Sequence, residues 1–139
     1  MRLIVSLPML AVVIAAYNLL GFSGSMLQSE SLLFETTLPS GEDIFFNVGH
    51  VFVLAGLVAL FFEILKAARL SNGTIVDHML STVTFIVALI EFLLVPVCGT
   101  VTFFLLTAMA LIDVVAGFSV SIFSARRDYS VNRGGDGLL

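Results

Sequence analysis

The sequence contains four long apolar runs, about 3–22, 44–65, 79–98 and 101–123, and each is close to the length of a membrane-crossing helix. Such a crossing takes about 20 mostly apolar residues, because only a helix or a closed barrel satisfies its backbone polar groups without water. Barrel strands would show short segments of about ten residues with alternating polarity, whereas these runs are continuous. Hydrophobic residues make up 59% of the 139 residues and charged residues 12%, against about 25% charged in a soluble domain. Little chain remains for a catalytic domain with its own core. The reading is an all-α integral membrane protein, an up-down four-helix bundle forming one domain over 1–125. Its helices are expected at about 3–22, 44–66, 76–98 and 101–124, with an outer loop at 23–43 and a tail at 126–139.

Charge then orients the chain. If the runs alternate, all six basic residues fall on one side: Arg2, Lys66, Arg69, Arg126, Arg127 and Arg133. The first loop carries Glu30, Glu35, Glu42 and Asp43 instead. Positive charge resists translocation, so both termini and the 66–78 loop are expected in the cytoplasm and the 23–43 loop outside. Arg2 and the apolar run after it resemble a secretory signal, but no A-x-A-like cleavage site follows, so the run is expected to stay as a helix.

Local signals mark the helix ends. Ser40 lies three residues before Asp43 and Thr74 three before Asp77. Each hydroxyl suits the cap of a following helix, with the acid at the positive end of the dipole. Helices two and three are therefore expected to start near Gly41 and Ile75, with Gly73 closing the second helix and the short turn making these two antiparallel neighbours. Pro8 and Pro96 are expected to kink their helices. In "SLLFETTLP", alternating residues suit a short strand or an extended segment over the helix ends. "NGT" at 72–74 matches a glycosylation pattern but reads as a turn on the cytoplasmic side.

Acids inside the spans are the main functional signal. Helix three carries Ser81, Thr84, Ala88, Glu91 and Val95 at helical spacing; helix four carries Ala110, Asp113, Gly117, Ser121 and Ser124; helix two carries Gly56, Ala59, Glu63 and Ala67. Small and polar stripes suit helix contact, since lipid-facing positions gain nothing from them. Helix one is expected to pack through Ala11, Ala15 and Asn18. At 1.5 Å per residue, Glu91 lies about 18 Å and Asp113 about 15 Å from the cytoplasmic ends, so the two are expected to form an intramembrane acid pair. No basic residue inside a span neutralises them. An ionised carboxylate in hydrocarbon is costly, so the pair is expected to hold at least one proton, bonded across the pair or to Thr84 or Thr107. Glu63 is read as a near-interface acid partnered by Lys66 and Arg69.

Other chemistry finds no support. Cys98 is a lone cysteine without a nearby base, and no glycine-rich phosphate loop, zinc motif or serine-nucleophile signature occurs. His50 and His78 open their helices at opposite ends, which suits hydrogen bonding better than shared haem ligation. The chain is therefore read as no enzyme, with no catalytic residues, no cofactor, no metal and no nucleic-acid partner. Membrane lipid, other integral subunits or further copies of the chain are its expected partners.

The stretches "FETTLPSGEDIFF", "DHMLSTVTFIVALIEFLLVP" and "TFFLLTAMALIDVVAGFSVSIFSARRDY" together resemble a group of small four-helix bacterial inner-membrane proteins. The resemblance covers most of the chain; it implies a bacterial inner membrane and no particular activity. Small multidrug transporters carry an acid in the first helix, where this chain has Asn18. Membrane glutathione transferases carry an Arg- and Glu-rich motif absent here, and cytochrome anchors would place His ligands within the spans. Two functional expectations follow. One is an accessory, assembly or scaffolding subunit of a larger membrane complex. The other is a small oligomeric proton-coupled transporter or channel using Glu91 and Asp113.

Overall fold

A computed structural model describes residues 7–24, 31–69 and 74–133. It is mostly helical: α1 (Met9–Phe22), α2 (Val48–Arg69), α3 (Thr74–Leu94) and α4 (Val101–Arg133), with a hairpin of β1 (Leu32–Thr37) and β2 (Asp43–Asn47) between α1 and α2. Three helices are long and apolar enough to cross a membrane, over Val48–Ala68, Val76–Leu94 and Val101–Phe123. α1 is shorter. Its 14 residues rise about 21 Å, less than the ~30 Å hydrocarbon core.

Prolines delimit helices here and kink none. Pro8 takes an extended conformation as the residue before α1, so the helix expected from residue 3 begins at Met9, where the chain needs no donor from proline. Pro96 pushes Val95 to an extended ψ of 114°, ending α3 at Leu94 ahead of a short 3-10 turn over Pro96–Cys98. The next helix starts on Thr100, whose Oγ1 accepts the Phe103 N–H at 3.1 Å, the usual way a threonine satisfies the first turn. α4 then runs to Arg133, well into the segment read as a tail, because nothing in "SARRDYSVNR" breaks a helix before Gly134.

The second helix starts later than its apolar pattern suggests. Ile44, Phe45 and Phe46 belong to a strand that pairs antiparallel with β1, as aromatic and β-branched residues favour. Gly41 turns the hairpin with φ of 89°, a left-handed conformation that glycine adopts without Cβ strain. Thr37 Oγ1 donates to Asp43 Oδ1 at 2.7 Å across that turn. So Asp43 closes a hairpin and leaves Ser40 out of any helix cap. The cap of α2 is instead reciprocal: the His50 N–H donates to Asn47 Oδ1 at 3.0 Å, and the Asn47 N–H donates to His50 Nδ1 at 3.1 Å. α3 begins at Thr74 with Asp77 in its first turn; Glu30 and Gly73 lie outside the described residues.

Each helix reverses the direction of the one before it. Leu10 meets Glu63 while Tyr17 meets Phe52, so α1 opposes α2. His78 bonds Ser121 while Phe92 meets Phe104, so α3 opposes α4. α4 occupies the middle, packed on both α2 and α3. α2 and α3, joined by a short turn, scarcely touch among the described residues except where Lys66 reaches Asp77 at 3.3 Å. The expectation that these two are neighbours therefore gives way to a spatial order α1, α2, α4, α3. The core gathers around α4: Phe103 and Leu106 are fully buried, flanked by Leu10, Ile14 and Tyr17 of α1, Leu60 of α2 and Ala88 of α3.

Candidate functional site

Close helix approach comes from residues with little side chain. A Cβ on Gly56 would stand 2.7 Å from Leu106 and 2.9 Å from Met109, and one on Gly117 would stand 2.5 Å from the His78 ring. Ala59, Ala88 and Ala110 are buried beside them, and Ser81, Thr84 and Ser121 are half-buried. α1 packs differently from its expected face. Leu10, Ile14 and Tyr17 are its buried residues, Ala15 is exposed, and Ala11 and Asn18 are half-buried.

These contacts fix the levels of the acids. Phe92 meets Phe104, so Glu91 lies level with about residue 105 of α4, and Asp113 lies about 12 Å further along that helix at 1.5 Å per residue. Depths counted from the span ends put them level only if residues 79 and 123 stand at one height, and the contacts of Phe92 with Phe104 and of His78 with Ser121 set a different register. Each acid has other neighbours. Glu91 Oε2 accepts the Asn18 side-chain amide at 2.7 Å, and Asn18 Oδ1 faces the buried Cys98 thiol at 3.4 Å. Tyr17, one residue before Asn18, shares a 2.6 Å hydrogen bond with Thr100. One turn of α1 is thereby tied to the turn between α3 and α4.

Asp113 lies beside Glu63. From the contact of Gly56 with Leu106 and Met109, seven residues along each of these parallel helices is two turns, which brings Glu63 level with Asp113. The two carboxylates interact electrostatically, and both residues are 8% exposed. Glu63 Oε1 accepts the Leu10 N–H at 3.2 Å, and the Met9 N–H also bonds this carboxylate. α1 has no side-chain cap of its own, so Glu63 meets N–H groups that a helix start leaves without partners, at the positive end of the dipole. Its other oxygen, Oε2, has no hydrogen-bond partner among the described residues. Lys66, expected to pair with Glu63, forms its salt bridge with Asp77; the Arg69 side chain lies outside the described residues. Thr84 and Thr107 donate to carbonyls of their own helices, Leu80 and Phe103.

The histidines also hold structural partners. His78 Nε2 lies 2.9 Å from Ser121 Oγ, and its ring fills the space over Gly117. His50 caps α2. Among the described residues no three His, Cys, Asp or Glu side chains gather as a metal site. What sequence reasoning missed is Asn18 as the partner of Glu91. Its signal was present, an amide set deep in an apolar run, as readable as the carboxylates themselves.

Comparison of the chain with protein-family models, with characterised proteins and with solved structures finds no match.

Proposed function

We propose that this chain is a non-catalytic integral membrane protein of the bacterial inner membrane. In this reading it is an accessory, assembly or scaffolding subunit that packs against other membrane subunits or further copies of itself. The observation that carries the reading is the β1–β2 hairpin. It lies outside the three long apolar spans, yet Leu32, Phe34 and Phe45 are more than half exposed. Each strand has one edge without a partner strand among the described residues. A two-stranded hairpin is marginal alone and gains from a further strand or a packed face. The helical polar groups support the same reading, since Tyr17, Asn18, Glu91, His78 and Ser121 are engaged between elements.

Purification in mild detergent through a tag on the C-terminal end tests this. The unmodified chain is expected in a defined larger assembly, and a Phe34→Ser, Phe45→Ser double variant is expected to keep its helix content and lose that assembly. A monodisperse monomer from the unmodified chain, or an assembly indifferent to the double variant, would sink the reading. The proposed orientation places both ends and the α2–α3 turn in the cytoplasm. Single cysteines at positions 30 and 42 should then react with an impermeant maleimide from outside, and those at 70 and 130 only after lysis; the reverse pattern would overturn it.

The second reading is a small oligomeric proton-coupled transporter or channel. The sequence assigns it to Glu91 and Asp113; the observation that favours it is Asp113 beside Glu63, two buried carboxylates on adjacent helices. A pH-gradient-driven flux in proteoliposomes, lost in Asp113→Asn, would favour it over the scaffold.

A further inference from the structure

Glu63 Oε2 poses a problem of physical chemistry that the scaffold reading leaves open. The residue is more than nine-tenths buried, the atom has no partner among the described residues, and the adjacent side chain is another buried carboxylate. Two like charges in an apolar core repel, and each would lose hydration without compensation. We propose that Glu63 and Asp113 form a proton-binding site. One proton resides on Glu63 Oε2, which donates to the Asp113 carboxylate, while Oε1 goes on accepting from the start of α1.

The surroundings define the ligand. On α1, the groups that face the site are the backbone N–H groups of Met9 and Leu10, and the buried side chain there is Leu10. On α2, Lys66 is the charged neighbour among the described side chains, and its ammonium lies 3.3 Å from Asp77 of α3. On α4, the buried residues flanking Asp113 are Met109, Ala110 and Gly117. His78 of α3 is bonded to Ser121, and its ring lies over Gly117, four residues beyond Asp113 and so about 6 Å away along α4. A hard cation such as calcium or magnesium asks for six or more oxygens. Here Oε1 is taken by the Leu10 N–H, and the buried hydroxyl of α4, Thr107, donates to Phe103 O. A proton needs only one donor oxygen and one acceptor, the parts that the proposal gives to Glu63 Oε2 and the Asp113 carboxylate. Its loss would set two anions between α2 and α4 and oppose their packing, so occupancy bears on the bundle under either functional reading.

Infrared absorption of the protein in lipid bilayers tests the proposal, because a protonated carboxyl and a carboxylate absorb in separate bands. At pH 7 the unmodified chain should show a protonated-carboxyl band worth one group. In Glu63→Gln and in Asp113→Asn the new amide supplies the donor and the remaining acid ionises, so the band should be lost from both while helix content is kept. Glu91→Gln should retain it. Replacing choline by sodium at fixed ionic strength should leave it unchanged. The proposal is overturned by absence of the band in the unmodified chain, by its survival in both site variants, by its loss in Glu91→Gln, or by its displacement by sodium. Should one site variant fail to fold, the unmodified chain, the other site variant and Glu91→Gln still decide the matter.

Discussion

Phe103→Ala is expected to destabilise the bundle by about 2–3 kcal/mol, the cavity share of the roughly 3–5 kcal/mol that such a truncation costs in water. The lower figure follows from the solvent. In a bilayer the separated helices already face hydrocarbon, so a buried phenyl gains no transfer energy on association and contributes through contact alone. Phe103 is fully buried at the start of α4, with its ring 5.4 Å from that of Tyr17, which itself meets Phe52 edge-on at 5.3 Å. Removing it opens a void where α1, α2 and α4 converge. Equilibrium unfolding in mixed micelles, titrated with dodecyl sulfate and followed by circular dichroism, measures the loss. Phe104→Ala is the matched control: Phe104 is half exposed and meets Phe92 at 5.6 Å, so its loss should cost much less. Equal losses from the two would mean that the convergence at Phe103 does not organise the core.

What the sequence discloses and conceals here follows from which interactions are local. Three long helices are legible because their apolar length and hydrogen bonding are properties of one segment. The hairpin is half legible: alternation in "LLFETT" signals β1, but Ile44, Phe45 and Phe46 run without a polar break into the apolar run of α2, so β2 is hidden. Only Asn47, three residues before His50, marks the true helix start. The order of helices in space is not legible at all, because a short turn limits how far apart two helix ends lie and says nothing about whether the helices pack along their length. That is why α4 could come between α2 and α3 with Lys66 and Asp77 still in contact. The acids inherit this. Their depths could be counted along each helix, but their partners depended on the order and on where Pro96 ended α3, so Asp113 is found with Glu63 and Glu91 with Asn18.

Asn18→Leu should cost about 2–3 kcal/mol, because it leaves Glu91 without its amide donor in an apolar setting and a hydrogen bond to a charged group is worth roughly twice a neutral one. The change also removes the acceptor of the buried Cys98 thiol. Glu91→Leu alone should cost less, about 1 kcal/mol, since it strands a neutral amide instead of an acid. The double variant, Asn18→Leu with Glu91→Leu, is the informative member. With donor and acceptor both gone, only the Cys98 thiol, a weak donor, loses a partner, and replacing both members of the stronger bond by apolar groups of similar size is close to neutral. Its stability should therefore recover toward that of the unmodified chain, a coupling opposite in sign to additive damage. The same micelle unfolding measurement reads all four proteins. If the losses simply add, the bond between Asn18 and Glu91 is not what fixes α1 against the α3–α4 turn, and that role passes to Tyr17 and Thr100, whose 2.6 Å contact is untouched by either change.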